Sequence, residues 1–185
     1  MDHSSQISIL PNGLKVLVAE DDRFPLVSMR LYVHAGSAYE MPEEAGISHL
    51  LEHMVFKGTS KRSAGQAARD IENVGGSLNA STGFDQTIYM LDLPAKYWNL
   101  GLDVLHDLVF CPVLDVKELE QEKKVVLSEL ERNEDNPGRT LFQDMQKIVW
   151  GQTPYERPII GYRETVERLS QEDISNYIQR LYQPQ

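Results

Sequence analysis

The stretch from residue 26 to residue 56, LVSMRLYVHAGSAYEMPEEAGISHLLEHMVF, changes its hydrophobic period partway along. From Leu26 to about Ala35, the apolar Val27, Met29, Leu31 and Val33 alternate with Ser28, Arg30 and Tyr32. A period of two is that of a strand with one buried face. Between residues 45 and 57, Ile47, Leu50, Leu51, Met54 and Val55 fall instead at helical spacing. Strand therefore gives way to helix, and further along strands and helices follow again, without strict βα alternation or an internal repeat.

Upstream, residues 6–20 read as two strands around the turn Pro11-Asn12-Gly13. Connections this short suit antiparallel pairing. Downstream, a helix is expected from Ser63, as N-cap, to Gly75, just past its end. SLNAS and QTIYMLDL read as two further strands joined near Gly83. Pro94 opens a helix to about Val109, and Asp115 with Glu118 starts a long one to about Asn133. Pro137 begins another, ending near Trp150; Gly151 to Gly161 is irregular; Ser170 with Asp173 caps the last. The order predicts an α+β domain, an antiparallel sheet covered by helices.

Composition sets limits. A net charge of −10 argues against a nucleic-acid surface, which needs clustered Lys and Arg. No apolar run approaches 18 residues and the N-terminus lacks a charged-then-apolar leader, so a soluble chain with no membrane partner is expected. Cys111 is the single cysteine, which precludes an internal disulfide and reads as a small core residue. His34 and His106 have no partner at ligand spacing. Turn and strand-packing roles suffice for Asp85 and Tyr89, and Gly75-Gly76 reads as a helix end rather than a phosphate loop.

The helix at 45–57 carries three ionisable groups in an apolar setting. Residues four apart on a helix lie about 40° apart around the axis and about 6 Å along it, so His49 and His53 project from one face. Two imidazoles so placed can grip one metal ion, with Glu52 at the edge of that face, able to reach a metal-bound water. His49-Leu-Leu-Glu52-His53 is the inverted form of the H-E-x-x-H zinc signature. The alternative is a pair of ordinary core or surface histidines. A catalytic zinc takes three protein ligands, and the third must come from elsewhere. In EQEKKVVLSELER, Glu122 and Glu129 are seven apart and share a helix face. Val125 and Val126 are expected near that face, with Lys123, Lys124 and Glu131 outward. Two solvated carboxylates remain the competing reading.

HLLEH with Glu122 and Glu129 resembles the pitrilysin-type (M16, inverzincin) zinc metallopeptidases, a group including mitochondrial processing peptidases and insulin-degrading enzyme. LPNGLKVLV, HAGSAYEMPEEAGISHLLEHMVFKGT, IENVGGSLNASTGFDQTIYMLDL, EKKVVLSELERNEDNPG and IIGYRETVERLSQEDI resemble the family's segments in order, over nearly the whole chain. The resemblance implies a pitrilysin/processing-peptidase-like half, with one Zn2+ per chain held by His49, His53 and Glu129. It makes Glu52 the general base and Glu122 the carboxylate that orients a ligand. SLNAST becomes the edge strand on which substrate lies extended, with Asn79 and Ala80 beside the scissile bond. The implied reaction is hydrolysis of oligopeptides or presequences by metal-activated water. A non-catalytic, partner-binding relative is the alternative.

Family members are built from repeated domains, so residues 1–185 are expected to be one C-terminally truncated catalytic domain. Its partner would be the missing C-terminal half, and unpaired strand edges would favour homo-oligomers. The resemblance leaves the compartment open, with bacterial cytoplasm or periplasm favoured over mitochondrion.

Overall fold

The computed structural model describes residues 5–184. Strands β1 (Ser5–Ile9) and β2 (Lys15–Ala19) form an antiparallel hairpin with Ile7 opposite Leu17. Its turn depends on Gly13, at φ +91°, and on Asn12 Oδ1, which accepts from Leu14 N at 3.2 Å. Strands β3 (Leu26–Val33), β4 (Ser77–Thr82) and β5 (Thr87–Pro94) form a second antiparallel sheet in the order β3-β5-β4. Met29 and Leu78 both face Leu91 across it. Short connection notwithstanding, β2 does not pair with β3. Leu26 N donates to Phe24 O at 2.8 Å, a tight bend that turns the chain just before β3.

Among the described residues, seven α-helices follow the order read from the sequence, with one addition. They are α1 (Ile47–Met54), α2 (Gln66–Glu72), α3 (Trp98–Phe110), α4 (Val116–Glu134), α5 (Pro137–Trp150), α6 (Arg163–Arg168) and α7 (Gln171–Leu181). The short α6 escaped the sequence reading because six residues hold too few turns to show a period. Ser63 is not the N-cap of α2. The helix starts at Gln66, after Gly65 at φ +69°, and Ser63 closes the preceding turn by accepting from Gln66 N at 2.9 Å. Asp115 and Ser170 do cap α4 and α7, accepting from Lys117 N and Asp173 N.

The core lies between one face of the three-stranded sheet and the helices. Strand β5 alternates strictly, with Thr87, Tyr89, Leu91 and Leu93 buried and their neighbours half-buried. Against them lie Ile47, Leu50, Leu51 and Met54 of α1, Val104 and Leu108 of α3, and Leu119 and Val126 of α4. Each such side chain stabilises the fold by about 1.5–3 kcal/mol. That burial is what makes α1 a helix, because eight residues are too few to be helical alone in water. Cys111 is half-buried rather than in the core: it stands just past the end of α3, where its carbonyl accepts from Ser60 N at 3.0 Å. Among the described residues, no helix is long and apolar enough to cross a membrane.

Candidate metal centre

Helix α1 is pinned at its start. Gly46, at φ +97°, lies so close to the 160–161 backbone that a Cβ there would stand 2.6 Å from Ile160 O. The buried Glu40 carboxylate accepts from Gly46 N and Ser48 N, both at 2.9 Å, and from Ser48 Oγ at 2.6 Å. An acid here satisfies free helix N–H groups and faces the positive end of the dipole. Burial pushes the Glu40 pKa up, against the lowering pull of those same hydrogen bonds. Ser48 Oγ also meets Tyr177 OH of α7 at 2.7 Å. Neither Glu40 nor Ser48 carries a sequence signal, since a lone acid ahead of a helix resembles any surface turn.

With α1 fixed, its apolar side is buried and His49, Glu52 and His53 are half-buried along the opposite edge. The two imidazole centroids are 4.8 Å apart. Across from them, α4 presents Glu129: its Oε2 lies 3.8 Å from His49 Nε2 and 4.0 Å from His53 Nε2. One ligand atom from each of the three lies within 4.8 Å of the others. These separations are too long for hydrogen bonds. They approach the roughly 3.4 Å between ligand atoms bound tetrahedrally at about 2.0–2.2 Å. Two imidazole nitrogens and one carboxylate oxygen are also the donor set of a catalytic zinc, so these residues fit that ion. Burial pushes the His49 pKa down, the neighbouring His53 adds to this, and Glu129 and Glu52 oppose it. A neutral imidazole is the form that can ligate a metal.

Glu122 lies behind the three. Its buried carboxylate meets His53 Nδ1 at 3.1 Å through Oε2 and Lys57 Nζ at 2.6 Å through Oε1. Glu52 stands apart from the three and accepts from Thr82 Oγ1 of β4 at 2.5 Å. Neither Lys57 nor Thr82 carried a sequence signal, because both act from outside the motif. A cavity of about 530 Å³ opens beside the centre, walled by His49, Glu129 and Thr82 and by the apolar Phe84, Phe142 and Ile160.

The expected face of α4 holds for its glutamates but needs correction around them. Val125 is 45% exposed, whereas Lys123 is buried, its ammonium donating to Glu120 Oε1 at 2.7 Å and to Glu167 O at 3.2 Å. At 100° per residue, the buried Leu119, Val126 and Leu130 centre about 60° around the axis from Glu122. These apolar residues set the rotation of the helix. Glu122, Glu129 and Val125 are left progressively nearer its open side, and Lys123 is carried inward. Glu131 is outward and pairs with Arg163 at 2.8 Å.

Strand β4 is an edge of its sheet. Asn79 is exposed and Ala80 buried, and Asn79 Oδ1 accepts from Ala80 N at 2.9 Å.

Residues 15–163 match the family model described as insulinase, peptidase family M16. The chain belongs to the M16 peptidase family. It is 34% identical over 182 residues to an uncharacterized zinc protease of Rickettsia felis, covering 98% of this chain and 44% of that one. It is 34% identical over 178 residues to the mitochondrial-processing peptidase subunit beta of Rattus norvegicus, 96% of this chain and 36% of the relative. A protease structure from Helicobacter pylori superimposes with a TM-score of 0.94 at 26% identity, over 98% of this chain and 44% of that one. The α+β fold is therefore the M16 fold, and the chain spans less than half the length of these relatives.

Proposed function

We propose that this chain is a catalytic, zinc-holding part of an M16 endopeptidase that hydrolyses extended peptides. The observation that carries this reading is the convergence of His49 Nε2, His53 Nε2 and Glu129 Oε2 within 4.8 Å. These three would hold one Zn2+, which when bound polarises a carbonyl and draws the pKa of water towards about 7. Glu52, fixed by Thr82, takes a proton from the attacking water and returns it to the leaving amine. Glu122 holds the proton of His53 on Nδ1, which leaves Nε2 free to ligate.

A peptide adds to the free edge of β4 by backbone hydrogen bonds, its scissile bond beside Asn79 and Ala80. Asn79 Oδ1 occupies the Ala80 amide, so an incoming carbonyl displaces that side chain. The substrates this mode selects are oligopeptides and unfolded presequences rather than folded proteins. In the whole enzyme, the length that the relatives have beyond this match encloses the substrate from the other side. Unpaired strand edges make self-association of this chain a second mode of contact. The bacterial relatives support a bacterial cytoplasm or periplasm as the compartment.

Elemental analysis after dialysis tests the metal reading. The chain is expected to retain about one zinc, and its Glu129→Gln variant much less. A folded chain that retains none overturns the assignment.

A further inference from the structure

We propose that Lys57 is a positioning residue of the metal centre, acting through Glu122 to fix the orientation and tautomer of His53. The inference rests on the zinc reading above and extends it to a residue outside the ligand motif.

Lys57 lies one helical turn past His53, where α1 tightens into a 3-10 turn over Val55–Lys57. That turn returns its ammonium towards α4, and Nζ reaches Glu122 Oε1 at 2.6 Å. The Glu122 side chain is only 7% exposed and has two oxygens to satisfy. Lys57 takes one and His53 Nδ1 the other, at 3.1 Å. A carboxylate held on both oxygens cannot rotate. Oε2 then stays in front of Nδ1 as a fixed acceptor, which places the imidazole proton on Nδ1 and the lone pair on Nε2. Nε2 is the atom that faces Glu129. Two contacts, Lys57 to Glu122 and Glu122 to His53, thus link a half-exposed lysine to the imidazole that carries the ligating atom. Without Lys57, Oε1 has no fixed partner among the described residues, and Glu122 can turn away from His53.

A merely structural role, neutralising a buried carboxylate, would alter stability and nothing else. Two readouts separate the cases: zinc affinity by competition with a chromophoric chelator, and the His53 tautomer in the metal-free chain by ¹⁵N NMR. In Lys57→Met, affinity is expected to fall about 10-fold, the lower part of the range for outer contacts of metal ligands. His53 should also lose its predominant Nδ1–H form. Lys57→Arg, which keeps a cation within reach of Oε1, should restore affinity to within about 3-fold of the parent. If Lys57→Met does not fold, Lys57→Gln is read by the same two measurements. Unchanged affinity together with an unchanged tautomer overturns the proposal while leaving the zinc site standing. A parent chain that binds no zinc removes the site instead, and the tautomer of the metal-free chain still decides the role of Lys57.

Discussion

Around Arg62, one guanidinium meets three carboxylates: Asp103 at 2.5 Å, Asp107 at 2.8 Å and Asp70 at 3.0 Å. Lys61 completes this cluster on Asp103 at 2.6 Å, and Thr59 donates to Asp107. Between α1 and α4, by contrast, His49 and His53 stand 3.8 Å and 4.0 Å from Glu129, and no Lys or Arg among the described residues pairs with Glu129. Both clusters place ionisable groups against the core. The first is closed by its own charges at hydrogen-bond distance, so it can only hold the chain together. The second holds three donor atoms within 4.8 Å and leaves them unbonded to each other, an arrangement that a cation could bridge. Donor geometry, and not residue type, distinguishes the two clusters here.

Substitutions can break that contrast, and the largest effect is expected at Glu52. In the full-length enzyme, Glu52→Gln should retain zinc and fold while turnover of a peptide falls about 100- to 10,000-fold, the range for loss of a general base. Preserved turnover would take Glu52 out of that role. Next comes Arg62→Met, which leaves the fully buried Asp107 with hydroxyl donors and no cation. Its expected cost is about 3–5 kcal/mol, or a Tm lower by about 10 °C, with zinc per folded chain unchanged. A matching loss of zinc would show the two clusters to be one unit.

Ser48→Ala is a smaller change. It removes one of three donors from Glu40 and the partner of Tyr177, for about 1–3 kcal/mol by chemical denaturation. The mildest test sharpens the structural cluster alone. Lys61 and then Arg62 hold the Asp103 pKa down, from its ordinary 3.8 to about 2. A depressed folded pKa adds stability that is fully present above 3.8 and fades as pH falls towards about 2. Acid unfolding of Asp103→Asn should therefore be shallower across that window than that of the parent. An identical slope would mean that Asp103 is not held by these cations in solution.

Much of the fold was legible because its signals are local. The period-two run at Val27–Val33, the caps at Asp115 and Ser170 and the turn at Gly13 each depend on a few adjacent residues. The misreadings arose where a choice depended on distant neighbours. Ser63 could have capped a helix, and Gly65 took the turn instead. Val125 and Lys123 exchanged environments because α4 is rotated by the packing of Leu119, Val126 and Leu130. Helix α6 is too short for any period to reveal it.

For the candidate metal centre the division is sharper. That His49 and His53 share a helix face follows from their spacing alone, because four residues at 100° each return nearly to the same side. Spacing also placed Glu122 and Glu129 on a common face of a second helix, for the same reason. That those two faces meet, with Glu129 76 positions after His53, emerges only from the packing of α1 against α4, and the folded chain shows more. It alone brought Lys57 to Glu122, Thr82 to Glu52 and Glu40 to the start of α1. Helical spacing is fixed by backbone stereochemistry, which a sequence carries in itself. The approach of two helices is fixed by which apolar residues fill the space between them, and that is settled only when the core has packed.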